Sequence, residues 1–240
     1  MLGFLLGLQF LTQLPVRVTR SEPRHVADSY YFYPIIGLLI GMGAVALRRI
    51  LVMVLPGSFS ITLVLAYFIW ISGGLHEDGL ADVGDGMGAG WTRDQRLDIM
   101  KDSRIGAYGA SMLILALLAK YAALTSMDAA RLDVSLVTAQ MLGRWAFLPL
   151  GYFNPNAREG LASEFMKGLT AKAVLFGTVI SAGLAILLCR IQGGIALALA
   201  VAVIILASIY FRHRIGGLTG DCLGATFQFV EIATYAAFLT

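Results

Sequence analysis

The chain of 240 residues is 58% hydrophobic and only 14% charged, against about 25% charged in an average soluble domain. This excludes an ordinary soluble protein and predicts one integral-membrane domain over residues 1–240, an all-α helical bundle. A net charge of +3, dispersed along the chain, argues against nucleic acid, and two distant cysteines without CxxC spacing, Cys189 and Cys222, carry neither a disulfide framework nor a zinc site.

Residues 1–15, MLGFLLGLQFLTQLP, are apolar but short of the roughly 20 needed to span a bilayer. Gln9, Thr12 and Gln13 interrupt them, so an interfacial or re-entrant helix is expected. They lack the basic leader and small-residue cleavage site of a signal peptide. A polar connector with Arg17, Arg20, Glu22, Arg24 and Asp28 follows. Apolar runs then predict about seven spans: Tyr31–Leu55, Ser58–Gly73, Ala107–Met127, Ser135–Phe153, Ala171–Leu188, Gly193–Phe211 and Cys222–Leu239. Tyr30 to Tyr33 place aromatics at one interface. Arg48 and Arg49, near the far end of the first span, are expected to snorkel.

Between the second and third spans lies Gly73–Tyr108, GGLHEDGLADVGDGMGAGWTRDQRLDIMKDSRIGAY. It holds seven of the fifteen acids: Glu77, Asp78, Asp82, Asp85, Asp94, Asp98 and Asp102. Asp78, Asp82 and Asp85 fall at i, i+4 and i+7, one face of a helix. Asp98 and Asp102 repeat the i, i+4 step on an expected second helix. Carboxylates sharing a face repel one another and are tolerated around a divalent cation, and oxygen-only ligands suit Mg²⁺ or Mn²⁺. The competing reading is a solvated loop whose acids pair with its own Arg93, Arg96, Lys101 and Arg104. The glycines 79, 84, 86, 88 and 90 would admit a bulky ligand or a second helix against the backbone.

Positive charge sets the orientation. Loops on the side of the N-terminus hold twelve basic residues, among them Arg17, Arg20, Arg24, the four of the acidic stretch, Arg158, Lys167 and Arg212, against Arg131 and Arg190 on the other. The acidic stretch is therefore expected to face the cytoplasm. Lys120 and Arg144 lie inside spans, where a charge costs about 2.5–3.5 kcal/mol. They either meet phosphates and acids of the site or form structural pairs. Arg158, in the loop NPNAREGLASEF, has the guanidinium fork for a phosphate. Asp221 opens the last span as a cap or a ligand, and His76 beside the acids is a substrate contact or a helix cap.

GGLHEDGLADVGDG followed by IMKDSRIGAYG resembles the cobalamin synthase family, the adenosylcobinamide-GDP ribazoletransferases. Similarity extends to Thr12–Val16, Gly143-Arg144-Trp145, Ala157–Leu161 and Gly216–Glu231, where Gln228 stands in place of a common acid. The resemblance implies a multi-pass enzyme of the cell inner membrane, alone or as an oligomer among its lipids. It would join adenosylcobinamide-GDP to α-ribazole or its 5′-phosphate and release GMP. Asp78, Asp82, Asp85, Asp98 and Asp102 would then be Mg²⁺ ligands, with Asp102 or Asp98 as base and Lys101 and Arg104 on phosphate. His76, Arg144, Arg158 and Asp221 would contact substrate. A looser resemblance joins Asp82, Asp85, Gly86, Asp98 and Asp102 to the CDP-alcohol phosphotransferase pattern, but its Ala-Arg pair is missing, since Gly90 follows Ala89. A cation transporter with acids along a conduction path is the remaining alternative.

Overall fold

The structure, a computed structural model, describes residues 1–19 and 22–239. Arg20, counted above among the basic residues, and the side chain of Leu161 lie outside the described residues. Within them the secondary structure is helical apart from one isolated bridge. In chain order the helices are α1 (Leu2–Leu11), α2 (Pro23–Ser29), a 3₁₀ turn (Tyr30–Phe32), α3 (Tyr33–Leu51), α4 (Gly57–Ser72) and α5 (Leu75–Ala89). They continue as α6 (Arg93–Ile99), α7 (Ala107–Thr125), α8 (Ala129–Phe153), α9 (Leu161–Lys167), α10 (Ala171–Ile215) and α11 (Gly220–Ala237).

Three stretches are long and apolar enough to cross a membrane: Pro23–Leu51, Ala107–Thr125 and Ala171–Ile215. A fourth arises if α4 and α5, bent by 89° at their junction, form one broken span. This is fewer than the seven expected, for two physical reasons. First, α8 and α11 form the middle of the bundle and bury Asp133, Gln140, Arg144, Gln228 and Glu231 among their neighbours. Their polar groups face protein, so overall hydropathy understates how apolar their surroundings are.

Second, α10 is two arms. Arg190 leaves helical geometry at φ 48, ψ −119. Thr178 accepts from Trp145 Nε1 at 3.0 Å and Ser208 from Asn154 Nδ2 at 3.0 Å. On a straight helix those two would stand about 45 Å apart, yet both reach the same half of α8. The helix therefore folds back at Arg190, and both arms lie along α8.

Arg48 is buried while the Arg49 side chain stays largely exposed, and both converge on one carboxylate of α8. Arg48 Nε donates to Asp133 Oδ1 at 2.8 Å and Arg49 Nε to Oδ2 at 2.9 Å, tying α3 to α8. A buried carboxylate between two guanidiniums keeps all three groups paired. Cys189 and Cys222 are buried and unbridged.

The glycines of α5 serve helix packing. A Cβ on Gly79 would stand 2.8 Å from the Asp221 carbonyl of α11, and one on Gly84 3.1 Å from Gly109 Cα of α7. These close crossings set the heads of α7 and α11 against α5, at the polar end of the bundle.

Candidate active site

Gly73 and Gly74 both adopt left-handed backbone, φ 67 and 69, where a side chain would be strained. They end α4 and turn α5 by 89° from it. The loop after α8 is fixed by two backbone bonds, Ala157 N to Leu218 O at 2.8 Å and Leu218 N to Pro155 O at 2.9 Å. That bridge carries Arg158 to the head of α11. Thr219 caps α11, accepting from Cys222 N at 3.4 Å, and the Asp221 carboxylate lies in the first turn. The result is a cavity of about 300 Å³ whose wall includes His76, Asp78, Phe147, Arg158 and Asp221.

The charges on the cavity wall, and on Asp82 beside it, are unbalanced. Arg158 Nη2 donates to Asp221 Oδ2 at 3.2 Å, while its Nη1 holds the Leu97 carbonyl at 3.0 Å. Asp82, half-buried, has its pKa pushed up to about 7, first by burial and then by Asp221, Asp78 and Asp85, with Arg158 pulling the other way. Burial likewise raises Asp221, against Arg158 and the Thr219 hydroxyl. Several carboxylates and one shared guanidinium leave negative potential to spare, the condition that draws in a cation.

The spacing of the acids does not carry all of them to this place. Asp85 turns to the neighbouring helix: Gly106 N donates to its Oδ2 at 2.6 Å and Gly109 N to its Oδ1 at 2.9 Å. It caps α7, occupying donors that the first turn of a helix cannot satisfy itself. Asp85→Ala is therefore expected to destabilise the protein by about 1–2 kcal/mol with little loss of cation affinity. Thermal unfolding and a cation titration on one preparation check both parts.

The second aspartate pair does not share a helix. α6 stops at Ile99, and Asp102 lies in the turn beyond, where its carboxylate accepts from Arg104 N at 3.0 Å and Nη2 at 2.5 Å. Those bonds hold the Asp102 pKa down to about 2, making it a weak proton acceptor. Asp98 and Lys101 are exposed. The electrostatic neighbours of Asp82 come from α5, α11 and the Arg158 loop and do not include this group.

His76 and Arg144 meet around Phe227. His76 is 2% exposed and stacks on that ring at 4.0 Å between centroids; among the described residues neither ring nitrogen has a hydrogen-bond partner. Burial, then the charges of Arg144 and Lys120, hold it well below the usual histidine range, so it is neutral. Arg144 lies 5.1 Å from the same ring centroid and donates to Gln140 Oε1 at 2.6 Å. Beneath them runs a buried relay. Lys120 Nζ pairs with Glu231 at 2.6 Å and also donates to Gln228 Oε1. Gln228 Nε2 donates to Glu77 at 2.9 Å, and Glu231 also accepts from Gln140 at 2.9 Å and Tyr235 at 2.8 Å. Lys120 is thus a structural ion pair, and Arg144 sits in the same network behind the cavity wall.

A family model described as cobalamin-5-phosphate synthase matches residues 3–239. The chain belongs to the cobalamin-5-phosphate synthase family. It is 36% identical to an adenosylcobinamide-GDP ribazoletransferase of Shewanella amazonensis, covering 98% of this chain and 94% of the relative. It is 34% identical to one of Syntrophobacter fumaroxidans, covering 96% and 95%. A third, of Leptothrix cholodnii, is 35% identical over 98% and 94%. No solved structure matches. Gln228 has a clear use here: its amide accepts from Lys120 and donates to Glu77, which an ionised carboxylate cannot do. The residues that sequence reasoning missed are Phe10, Phe147 and Phe165 on the cavity wall, since isolated aromatics in apolar runs carry no signal of facing a void.

Proposed function

We propose that this member of the cobalamin-5-phosphate synthase family is an adenosylcobinamide-GDP ribazoletransferase acting at the cavity between α5, α11 and the Arg158 loop. The observation that carries the site is that Asp78, Arg158 and Asp221 line one cavity and all three act electrostatically on the neighbouring Asp82. A hydroxyl of α-ribazole, or of its 5′-phosphate, attacks the phosphorus attached to cobinamide. The bond from that phosphorus to the bridging oxygen breaks, and GMP leaves. The product is adenosylcobalamin or its 5′-phosphate.

The fit to a divalent cation follows from the donor set. Among the described residues no three His, Cys, Asp or Glu side chains are gathered closely enough to hold an ion alone. Mg²⁺ commonly takes one or two carboxylates and completes its shell with waters and substrate phosphates, and Asp78 and Asp82 supply that pair. When bound, Mg²⁺, or Mn²⁺ in its place, neutralises charge on the diphosphate. Arg158 holds a phosphate oxygen through the fork it now turns to Asp221. Asp221, raised by burial and lining the cavity, takes the proton of the attacking hydroxyl. It replaces Asp102 and Asp98 in that role, because Asp102 is too acidic and both stand on another segment. Lys101 and Arg104 stand on that same segment, away from the cavity wall, and Arg104 is held by Asp102 at 2.5 Å.

Protons compete with the cation for Asp82. Its carboxyl titrates near pH 7 in the cation-free protein. Apparent Mg²⁺ affinity is expected to be flat well above pH 7 and to fall about tenfold per unit below it. Calorimetric titrations at several pH values measure this, and a pH-independent affinity would remove Asp82 from the ligand set.

The membrane arrangement belongs to the same proposal. Counting α3, α4, α7, α8, the two arms of α10 and α11 gives seven crossings, with α1 at the interface. The basic loops put the cavity on the cytoplasmic face of the inner membrane, where nucleotide-activated substrates occur. The functional test is product identity. Given both substrates, the detergent-purified protein is expected to form a corrinoid joined to ribazole, and to release no CMP from a CDP-alcohol. CMP without that corrinoid would favour the phosphotransferase alternative.

A further inference from the structure

Two further cavities, about 470 and 310 Å³, lie between α8 and the two arms of α10. Pro149, Phe153, Ile204 and Ile205 line both, which makes them one groove. Trp145, Thr178 and Val201 line its deep part, and Ser208, Ile209 and Arg212 its other end. From Val201 to Arg212 the second arm of α10 rises about 16 Å, half of a hydrocarbon core about 30 Å thick. The groove is therefore about one leaflet deep, apolar along its length, with a guanidinium at its mouth.

Its open side faces whatever surrounds α10. That helix is long and apolar enough to cross a membrane, and Leu175, Ile205 and Ile209 on the rim are exposed. Inside a bilayer no water reaches such a surface, so an acyl chain is what fills it. The charge at the mouth then selects the headgroup. Arg212 Nε donates to Asn154 Oδ1 at 2.9 Å and its Nη2 to the Phe153 carbonyl, which fixes the guanidinium across the end of the groove. Among the described residues its Nη1 meets no acceptor, and no carboxylate pairs with it. No Asp or Glu lines either cavity. Ala171 lines the groove at the start of α10, and Lys172 follows it. A phosphate matches the open edge of that guanidinium. The ammonium of a choline or ethanolamine headgroup would meet only cations there.

We propose that this groove binds one anionic phospholipid of the phosphatidylglycerol type, with an acyl chain along α10 and its phosphate on Arg212. None of the groove residues lines the acidic cavity, so the lipid site stands or falls independently of the transferase reading.

The test is lipid binding to detergent-purified protein. Phosphatidylglycerol and phosphatidylcholine with the same acyl chains are titrated separately, and complexes are counted by native mass spectrometry. Wild-type protein is expected to take one phosphatidylglycerol about fivefold more tightly than phosphatidylcholine. Arg212→Gln should abolish the preference and leave phosphatidylcholine binding unchanged, while Arg212→Lys should keep most of it. Ile205→Trp, on the exposed rim, should fill the groove and weaken both lipids. A thermal melt of each variant verifies folding, and Ile205→Trp decides the place even where Arg212→Gln melts low. Equal affinity of wild-type protein for the two lipids overturns the proposal. So does a preference that survives Arg212→Gln in folded protein, or phosphatidylglycerol binding undiminished by Ile205→Trp. A dimer in place of the lipid complex, dissociated by Ile205→Trp, also overturns it and gives this face to a second copy of the chain.

Discussion

Turnover is expected to fall about a thousandfold when Asp82 is replaced by asparagine, the scale of losing one charge-stabilising group in a closed site. The amide keeps the shape and removes the charge. Asp82 has several acidic neighbours and one distant cation in Arg158, so the substitution relieves repulsion in the resting protein. Thermal stability is therefore expected to hold or rise while GMP release collapses. Asp94→Asn provides the contrast: that carboxylate is exposed and pairs with Arg93 at 3.0 Å, and its loss should leave the rate within about twofold. Steady-state GMP release from the three proteins gives the comparison. Equal rates for Asp82→Asn and wild type would displace the site from α5.

The second large effect is on stability. Glu231→Leu leaves Lys120 buried without its carboxylate and strips Gln140 and Tyr235 of their acceptor. Breaking one side of a buried pair costs about 3–5 kcal/mol. A sharp fall in the unfolding temperature in detergent is therefore expected, with loss of folded yield. The double variant Lys120→Met with Glu231→Leu removes both charges and should recover most of the loss. If the single and double variants melt alike, the network is not what holds α7 to α11.

Much of the site was legible because helix spacing is a local property. Asp78 and Asp82 do share a face of α5, and Asp221 does open α11, although Thr219 and not Asp221 is its cap. Asp85 sits at the same spacing, yet the head of α7 packs against it and takes its oxygens. No periodicity within α5 reveals which neighbour will arrive there. Asp102 was misplaced for a local reason: Asp favours a turn with the residue two positions on, and that competes with one more turn of α6. The pairing of Lys120 with Glu231 spans 111 positions, so nothing local announced it. The same polar interior lowers the hydropathy of α8 and α11, which is why apolar length alone undercounts the helices of the bundle.

The most direct measurement is GMP release by purified wild-type protein supplied with adenosylcobinamide-GDP and α-ribazole 5′-phosphate, with Mg²⁺ present and then removed by chelation. The account predicts one GMP for each new corrinoid, loss of both on chelation, and recovery of both when Mg²⁺ is restored. Corrinoid formation at an undiminished rate in excess chelator, or the absence of GMP from folded protein, would contradict it.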